Sequence, residues 1–405
     1  MSIIGFHMLI SLRVSNFFSF AEESLVSFEM GKKPSPTAFD IAVSPNRRLN
    51  KVIAVVGPNG SGKTQLIKPL AFLSWFIVDS FLGIEPDASL PFKPHALLPD
   101  QNTRFELVFR IKDDEFKYVL EANRNHVVHE SLYKKNTQYF SYLFVRDLVP
   151  NAEEATYEYK QQGFSFKKAQ AKGIRGNASI ISAANSYDVP EARQFIEYFS
   201  TYSHNINVMG RKHFHNADLL ESAEFFYRSK RYLSKLEGML CEFDLGLNSV
   251  KINEIETKDS DGADATLYLP FGVHKAGELS FELSIFEESS GTQSAFVLMH
   301  RILPVLEHGG VAVIDEIDND LHPHLLPYIV DLFKFEHSNP HNAQLIFTCH
   351  TPEILNLLNK HQVYLVEKKN QRSESWRLDD VQGLRADDNL YAKYMAGALS
   401  AVPNI

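Results

Sequence analysis

The chain has 405 residues, of which 44% are hydrophobic and 22% are charged, and its formal net charge is −9. This composition is ordinary for globular proteins, and the length predicts two or three structural units rather than one compact core. The negative balance argues against a global attraction to nucleic acid or acidic membranes, although a local patch could still act. The two cysteines do not make a disulfide framework and the N-terminal residues lack a secretory-signal pattern, so we expect a cytoplasmic protein.

The first predicted strand covers residues 9–14, where apolar and polar side chains alternate. A second, fully apolar run over Val52–Val56 leads into a glycine-rich stretch, after which a helix-like run begins at Gln65. The glycine-rich stretch matches the phosphate-binding-loop pattern at every fixed position. Its residues are Gly57, Pro58, Asn59, Gly60, Ser61, Gly62, Lys63 and Thr64.

The residue types of this loop suit the binding of phosphate. Glycines let backbone N–H groups close around phosphate oxygens, and the N-terminus of the following helix adds partial positive charge. Lys63 would reach the β and γ phosphates, and Thr64 would offer its hydroxyl to Mg²⁺, which such sites hold with few protein ligands. The sequence therefore predicts a site for a nucleoside triphosphate.

Residues 66–84 form the most apolar stretch of the chain, although Lys68, Pro69 and Asp79 interrupt it. A membrane span needs about 20 largely uncharged residues, so we interpret the stretch as a buried helix behind the phosphate loop. Pro69 removes one backbone donor early in that helix, which predicts a kink or a short first segment.

Strand-like alternation returns at residues 104–111, 116–121 and 126–132, separated by polar turns. These strands predict an antiparallel sheet beside the nucleotide-binding sheet, and residues 139–144 and 156–160 are candidates for its extension. The middle of the chain differs, because two later segments have helical spacing without sustained heptads. The two segments are residues 188–201 and 216–243.

The middle of the chain is also locally basic. Residues 160–235 hold twelve Lys or Arg against six Asp or Glu. Two explanations remain open, a solvated helix face and a surface for the nucleic-acid phosphate backbone. No groove-reading motif accompanies the cluster, so sequence-specific recognition is not supported. The cluster includes Lys167, Lys168, Lys172, Arg175, Arg211, Lys212, Arg228, Lys230 and Arg231.

Another fully apolar run, residues 311–314, is followed directly by Asp315 and Glu316. Four consecutive apolar residues are typical of a buried parallel strand. At the C-terminal end of such a strand, Asp315 can hold Mg²⁺ through water and Glu316 can polarise the water that attacks the γ-phosphate.

Two further stretches point to the same phosphate. Residues 288–293 form a small polar turn at the start of a predicted helix, where Ser290 and Gly291 resemble an anion site. Residues 345–350 predict a strand that ends in polar side chains and places Thr348 and His350 at the sheet edge. We therefore interpret His350 as a contact to the γ-phosphate.

These elements, in this order, resemble the ATP-binding-cassette ATPases and their SMC and RecF-like branch, whose signature reads Leu-Ser-Gly-Gly-Gln. Residues 289–293 keep its serine, first glycine and glutamine but have Thr292 for the second glycine. A narrower resemblance rests on five stretches, which are Asn16-Phe17-Phe18-Ser19-Phe20, Gly291-Thr292, Asp315-Glu316-Ile317-Asp318, Leu321-His322-Pro323 and the ending 397–405. These look like the AAA-type ATPases of bacterial abortive-infection systems, AbiL-like proteins that are related to OLD nucleases and to the PARIS and Septu defence systems.

The resemblance implies an α/β P-loop NTPase of the ABC/SMC-like type, with a mixed central sheet, an antiparallel β-subdomain and a helical insertion. It also implies ATP and Mg²⁺ as cofactors, with Thr64 and Asp315 at the metal and Glu316 and His350 in catalysis. Ser290 and Gly291 of one subunit would close over the ATP of another in a head-to-tail dimer or a higher oligomer, with Asp318 in the loop between the two sites. Gln101 is a candidate for the glutamine loop that senses Mg²⁺.

The domains expected on this basis are an N-terminal ATPase lobe (1–150), a helical basic insertion (151–245) and a C-terminal ATPase lobe (246–405). The leading hypothesis is a cytoplasmic ATPase that serves as sensor or scaffold of an antiphage defence system and controls a separate nuclease or toxin. The first alternative is a RecF-like ATPase that acts directly on DNA through the basic middle region. A second alternative is a scaffold that binds ATP without hydrolysing it. A transporter ATPase is disfavoured because the signature differs and no membrane segment is predicted.

Overall fold

The computed structural model describes residues 7–31, 35–150, 155–207, 210–211, 215–242, 246–258, 262–319, 321 and 325–401. The chain divides into two compact units. The first unit contains Met1–Arg211, Val305–Glu316 and Val330–Ile405, and the second contains Lys212–Pro304 and Ile317–Ile329. This division differs from the three consecutive segments expected from the sequence, because the helical middle is shared between the two units.

The described residues contain the following strands. They are β1 His7–Ser15, β2 Ser24–Ser27, β3 Asp40–Ser44, β4 Arg47–Asn50, β5 Val52–Val56, β6 Thr103–Ile111, β7 Asp114–Ala122, β8 Val127–Asn136, β9 Tyr139–Leu148, β10 Tyr157–Gln161, β11 Ser203–His204, β12 Ile206–Asn207, β13 Gly210–Arg211, β14 Ser249–Lys258, β15 Asp264–Ala276, β16 Leu279–Ser284, β17 Val311–Ile314, β18 Gln344–Cys349, β19 Val363–Lys369 and β20 Arg372–Arg377.

The described helices complete the secondary structure. They are α1 Lys63–Gly83, α2 Lys168–Lys172, α3 Ile180–Ser186, α4 Pro190–Phe199, α5 Asn216–Arg228, α6 Lys230–Glu242, α7 Ser290–His308, α8 Leu325–Leu332 and α9 Leu390–Met395. Short 3₁₀ turns cover Ile285–Glu287, Pro352–Asn356, Lys360–Gln362 and Leu378–Asp380.

Two large sheets organise the first unit. The central sheet has the strand order β11-β17-β18-β5-β19-β20, in which the pairs from β11 to β19 are parallel and β20 is antiparallel to β19. The second sheet has the order β10-β9-β8-β7-β6-β1-β2 and is antiparallel throughout. Every residue of β5, β17 and β18 is buried, as expected for the middle of a parallel sheet. The predicted mixed sheet and antiparallel sheet are thus both confirmed.

Helix α1 lies at the centre of the first unit. One buried apolar cluster contains Ile53 of β5, Leu70 of α1, Leu107 of β6 and Phe195 of α4, so these elements share a core. Helices α3 and α4 pack against α1. Among the described residues, α1 is the one helix long and apolar enough to cross a membrane, but 67% of its most apolar window is buried inside the protein. That burial is typical of a core helix.

Pro69 does not divide α1, which runs without interruption from Lys63 to Gly83. The short first segment predicted from the proline is therefore wrong, because one missing N–H costs a single bond in a helix that packing holds on several sides. At the other end of α1, the Arg175 guanidinium donates to the carbonyl oxygens of Phe81 and Ile84, at 2.6 and 2.7 Å. A cation at this place complements the negative end of the helix dipole.

A fully buried ion pair fixes α3 to the antiparallel sheet. The carboxylate of Glu130 and the guanidinium of Arg146 lie 3.6 Å apart, and neither side chain is exposed. Glu130 also accepts from the backbone N–H of Ile180 at 3.0 Å, and Arg146 donates to the carbonyl oxygen of Ala178 at 2.9 Å. These bonds offset part of the cost of burying two charges, although Nε of Arg146 is buried without a hydrogen-bond partner among the described residues.

The second unit is built on an antiparallel meander, β14-β15-β16, against which α5 and α6 pack. The predicted segment 216–243 is two helices, since the chain breaks at Ser229. Helix α7 belongs to this unit as far as Pro304. Its His300 accepts or donates a bond of 3.0 Å with Ser222 of α5, and burial lowers the pKa of His300 to about 4.

Candidate nucleotide-binding site

The phosphate loop connects β5 to α1, as predicted. Gly62 precedes the helix with φ of 111°, a left-handed conformation that favours glycine. A Cβ at Gly62 would lie 2.5 Å from Oγ of Ser373, and one at Gly57 would lie 2.2 Å from the carbonyl oxygen of Val366. The loop therefore packs tightly against β19 and β20. A side chain at either glycine would force the loop backbone to shift.

Serine hydroxyls hold the outer side of the loop. Ser373 of β20 donates to the carbonyl oxygen of Ser61 at 2.6 Å and bonds to Oγ of Ser19 at the same distance. The backbone N–H of Ser19 donates in turn to the side chain of Gln65 at 3.0 Å. The stretch 16–20 and the phosphate loop are thus one hydrogen-bonded assembly, a connection that the sequence did not indicate.

Lys63 is 6% exposed, and its ammonium group turns back across the loop. It donates to the carbonyl oxygens of Gly57 at 2.8 Å and of Pro58 at 3.2 Å. Nζ also lies 3.4 Å from Nδ1 of His350. A cation at this position lies at the mouth of a cradle of backbone N–H groups, where the β and γ phosphates of a nucleotide bind in phosphate-loop proteins.

The hydroxyl of Thr64 contacts the carboxylate of Asp315, and these are the two residues that the sequence analysis assigned to a metal. Oγ1 of Thr64 lies 2.8 and 3.0 Å from the two oxygens of Asp315, which is 1% exposed. Thr348 of β18 donates to Asp315 as well, at 2.6 Å, and its hydroxyl accepts from the backbone N–H of Glu316 at 2.7 Å. Thr348, which the sequence placed at the sheet edge near the phosphate, thus holds the carboxylate of Asp315 and the backbone of Glu316.

Asn205 fixes the backbone of Asp315. Its Oδ1 accepts from the N–H of Asp315 at 2.7 Å, and its Nδ2 donates to the carbonyl oxygen of Asp315 at 2.9 Å. Asn205 reaches this place because β11, which ends at His204, pairs in parallel with β17. Sequence reasoning missed Asn205, since β11 is only two residues long and has no apolar run that would reveal it.

Glu316 and His350 form a second polar pair at the same sheet edge. Nε2 of His350 lies 3.1 Å from Oε1 of Glu316, and both side chains are partly exposed. A single neutral tautomer satisfies both contacts of the imidazole, because Nε2–H donates to Glu316 while Nδ1 accepts from Lys63. Glu316 has φ of 49°, an unusual conformation for a residue other than glycine that is found at functional sites.

The signature-like turn lies at the N-terminus of α7, in the second unit. Oγ of Ser289 bonds to Oγ1 of Thr292 at 2.9 Å and accepts from the Thr292 backbone N–H at 3.2 Å. Thr292 is buried, so the threonine that replaces a glycine turns inward onto Ser289. Ser290 is exposed and Gly291 is half-buried, which leaves the helix N-terminus accessible to an anion.

The remaining predicted site residues are Asp318 and Gln101. Asp318 belongs to the second unit, as do Ser290 and Gly291. Gln101 is exposed in the turn before β6, where its carbonyl oxygen accepts from the Asn16 side chain at 2.7 Å. Roles for these residues remain predictions. Several residues of the narrower resemblance, among them residues 322–323 and 402–405, lie outside the described residues.

The fold and this site define a P-loop NTPase. Residues 52–356 match the family described as "AAA domain, putative AbiEii toxin, Type IV TA system", and the chain belongs to that family. This agrees with the resemblance to AAA-type ATPases of abortive-infection systems and with the predicted ABC/SMC-like class of fold. The family supports an ATP-binding protein of the ATPase type. No curated protein matches the chain.

Solved SMC heads are similar at low identity. The SMC head domain from Thermotoga maritima is 15% identical with a TM-score of 0.38, over 91% of this chain and 98% of that one. The SmcHead bound to the C-winged helix domain of ScpA is 13% identical with a TM-score of 0.45, over 93% and 99%. The Smc head domain with an extended coiled coil, bound to the C-terminal domain of ScpA from Pyrococcus furiosus, is 11% identical with a TM-score of 0.41, over 92% and 97%.

The two hydroxyl contacts of Thr348 generate a prediction. Replacing Thr348 with valine keeps its shape but removes the donor to Asp315 and the acceptor for Glu316, so the apparent affinity for Mg²⁺-ATP should fall about 10- to 100-fold. Titration of Mg²⁺ at fixed ATP, followed by nucleotide binding, measures this. Thr348→Ser keeps the hydroxyl and should stay within about threefold of the unchanged protein. Equal affinities for the valine and serine variants would contradict the orienting role.

Proposed function

We propose that the protein hydrolyses ATP with Mg²⁺ at the site between β5, β17 and β18. The observation that carries this proposal is the convergence of Lys63, Thr64, Asp315, Glu316 and His350 at one sheet edge. The donor set fits the metal, since a hydroxyl and a buried carboxylate within 3.0 Å of each other offer the oxygen ligands that Mg²⁺ prefers. When bound there, Mg²⁺ would neutralise phosphate charge.

Each side chain has a distinct chemical role in the proposal. Lys63 would exchange its loop carbonyl partners for phosphate oxygens, which bind an ammonium group more strongly. Glu316 would accept a proton from the attacking water, while His350 would orient Glu316 and contact the γ-phosphate. Thr64 and Asp315 would hold the metal. Asn205 and Thr348 would keep Asp315 in place.

We further propose that two subunits complete the site head to tail. Ser290 and Gly291 are accessible at the start of α7, a 19-residue helix whose positive end suits the γ-phosphate of ATP on another subunit. Asp318 would lie in the loop between the two sites. ATP would then favour a closed dimer and hydrolysis would release it, which is a shift between two populations.

The proposed biological role is that of a cytoplasmic sensor or scaffold in an antiphage defence system, where closure of the dimer controls a separate effector such as a nuclease or toxin. The family description, which names a putative toxin of a toxin–antitoxin system, supports a role in this area. Direct action on DNA in repair or recombination is the alternative. It is favoured by the exposure of Lys167, Lys168 and Lys172 in the first unit and of Arg228, Lys230 and Arg231 in the second.

The proposed base generates a prediction about turnover. Glu316→Gln keeps the shape and polarity of the side chain but removes its basicity, so ATP turnover should fall about 100-fold or more while ATP binding persists. The variant should accumulate as an ATP-bound dimer, measured by light scattering with and without nucleotide. Lys63→Ala should lose both binding and dimer formation. Glu353→Gln, an exposed acid outside the site, is the control, and wild-type turnover in Glu316→Gln would contradict the assignment.

Head-to-tail sharing predicts complementation between two inactive variants. A dimer of one Lys63→Ala subunit and one Ser290→Arg subunit contains one site with both defects and one site with neither. Mixing the two purified variants should therefore restore ATP turnover, whereas each variant alone stays inactive. Mixing Lys63→Ala with the double variant Lys63→Ala/Ser290→Arg leaves no intact site and is the control. Absence of restoration, with mixed dimers shown to form, would contradict sharing in trans.

The two biological roles differ in what stimulates the ATPase. Control of a protein effector predicts that the neighbouring gene product copurifies with the untagged protein and changes its turnover, and that DNA does not. Direct action on DNA predicts stimulation that weakens steeply with salt and is lost in the triple variant Arg228→Gln/Lys230→Gln/Arg231→Gln. Turnover measured with duplex DNA at two salt concentrations distinguishes them. DNA stimulation lost in the triple variant would contradict the effector role.

A further inference from the structure

A cavity of about 700 Å³ lies against α1, entirely within the first unit. Its wall comes from α1, from residues 84–91 and from residues 199–207, which start at the last residue of α4. Most of the wall is apolar and includes Ala71, Phe72, Trp75, Val78, Ile84 and Pro91. Cavities of this size and character hold small molecules in other proteins. None of the residues assigned to the nucleotide lines it.

One buried cation contributes to the wall. Lys68 is the only lysine or arginine among the described lining residues, and it is 5% exposed. Its Nζ lies 4.2 Å from the centre of the Phe18 ring. Burial lowers the pKa of Lys68 to about 8, partly offset by Asp315, so the ammonium is mostly protonated at neutral pH. Asp79, the one carboxylate of the described lining, is exposed, so Lys68 is the buried charged group of that lining.

The cavity also borders the residue that holds Asp315. His204 and Ile206 line the cavity, and Asn205 lies between them in the chain. Asn205 makes both of its hydrogen bonds to the backbone of Asp315. An occupant that displaces His204 or Ile206 would therefore act on Asn205, and through it on the proposed metal ligand.

We propose that this cavity binds a small apolar molecule with a single negative charge, and that occupancy changes ATP turnover through residues 202–207. The apolar wall would take the body of the ligand, and Lys68 would pair with its charged group. Binding is independent of the function proposed above, whereas the effect on turnover rests on it. Carboxylate and sulfonate groups on a ring or a short acyl chain share this chemistry.

Binding can be followed at Trp75, which lines the cavity. The chain has two tryptophans, so Trp376→Phe leaves Trp75 as the sole tryptophan emitter. In that protein decanoate should change the emission saturably, and decanol, with the same chain but no charge, should bind about tenfold more weakly or worse, as expected for loss of a charge-assisted contact. Lys68→Met should remove this preference. Lys251→Met, an exposed lysine on β14, is the matched control and should keep it.

A second variant tests where the ligand lies. Ala88 is half-buried in the cavity wall, so Ala88→Phe can fill the space without altering the core of the fold. It should abolish the Trp75 response to decanoate, with circular dichroism and nucleotide binding unchanged. Equal affinity for decanoate and decanol, no saturable response, or a response that survives Ala88→Phe would overturn the binding proposal.

The effect on turnover is measured separately. Saturating decanoate should change steady-state ATP hydrolysis of the unchanged protein by about twofold or more, the lower end of a typical coupling between sites. Ala88→Phe should keep the basal rate and lose the response. A protein that binds decanoate and hydrolyses ATP at the same rate with and without it contradicts the coupling. A protein that binds decanoate but hydrolyses no ATP at all contradicts the function proposed for the phosphate loop instead.

Discussion

The carboxylate of Asp315 is the point on which the geometry of the site depends. It is almost fully buried, and hydroxyls of Thr64 and Thr348 bond to its oxygens while Asn205 bonds to its backbone. These partners come from α1, from β18 and from the chain just after β11, so a single acid connects three elements of the first unit. A buried carboxylate is tolerated only with such partners. The hydroxyls of Thr64 and Thr348 also fix the positions of its two oxygens, which the proposed function assigns to Mg²⁺.

The phosphate loop is also held in place, mainly by tight packing around its glycines. Gly57 lies against the backbone of β19, and Gly62 lies between the hydroxyls of Ser19 and Ser373. The stretch 16–20 and β20 therefore shape the loop from outside, although neither belongs to the phosphate-binding pattern. The bonds that Ser19 makes to Gln65 and Ser373 give a physical role to the stretch Asn16–Phe20, which the resemblance had singled out.

The parts of the fold that the sequence predicted are those with strong local patterns. The apolar runs of β5, β17 and β18, the alternation of β6 to β8 and the phosphate loop each carry a signal within about ten residues. Asn205 and Ser373 carry no such local signal, because each reaches the site only through strands that pair with segments far away in the chain. The sequence placed Thr348 at the sheet edge, but its bonds to Asp315 and Glu316 depend on the pairing of β17 with β18, which no local pattern reveals. Local patterns could not predict the division into two units either, because that division depends on contacts between segments far apart in the chain.

The boundary between the units falls next to the proposed base. One segment of the first unit ends at Glu316 and the second segment of the other unit starts at Ile317, so the proposed base and Asp318 lie two residues apart in different units. The other boundary falls at Pro304 within α7, where the proline removes a helical hydrogen bond and makes bending easier. The base at Glu316 thus lies directly at one boundary, whereas most of α7 separates the turn at Ser290 from the other. The proposed base therefore lies where one segment of the first unit ends, and its φ of 49° is a conformation that is unusual for a residue other than glycine.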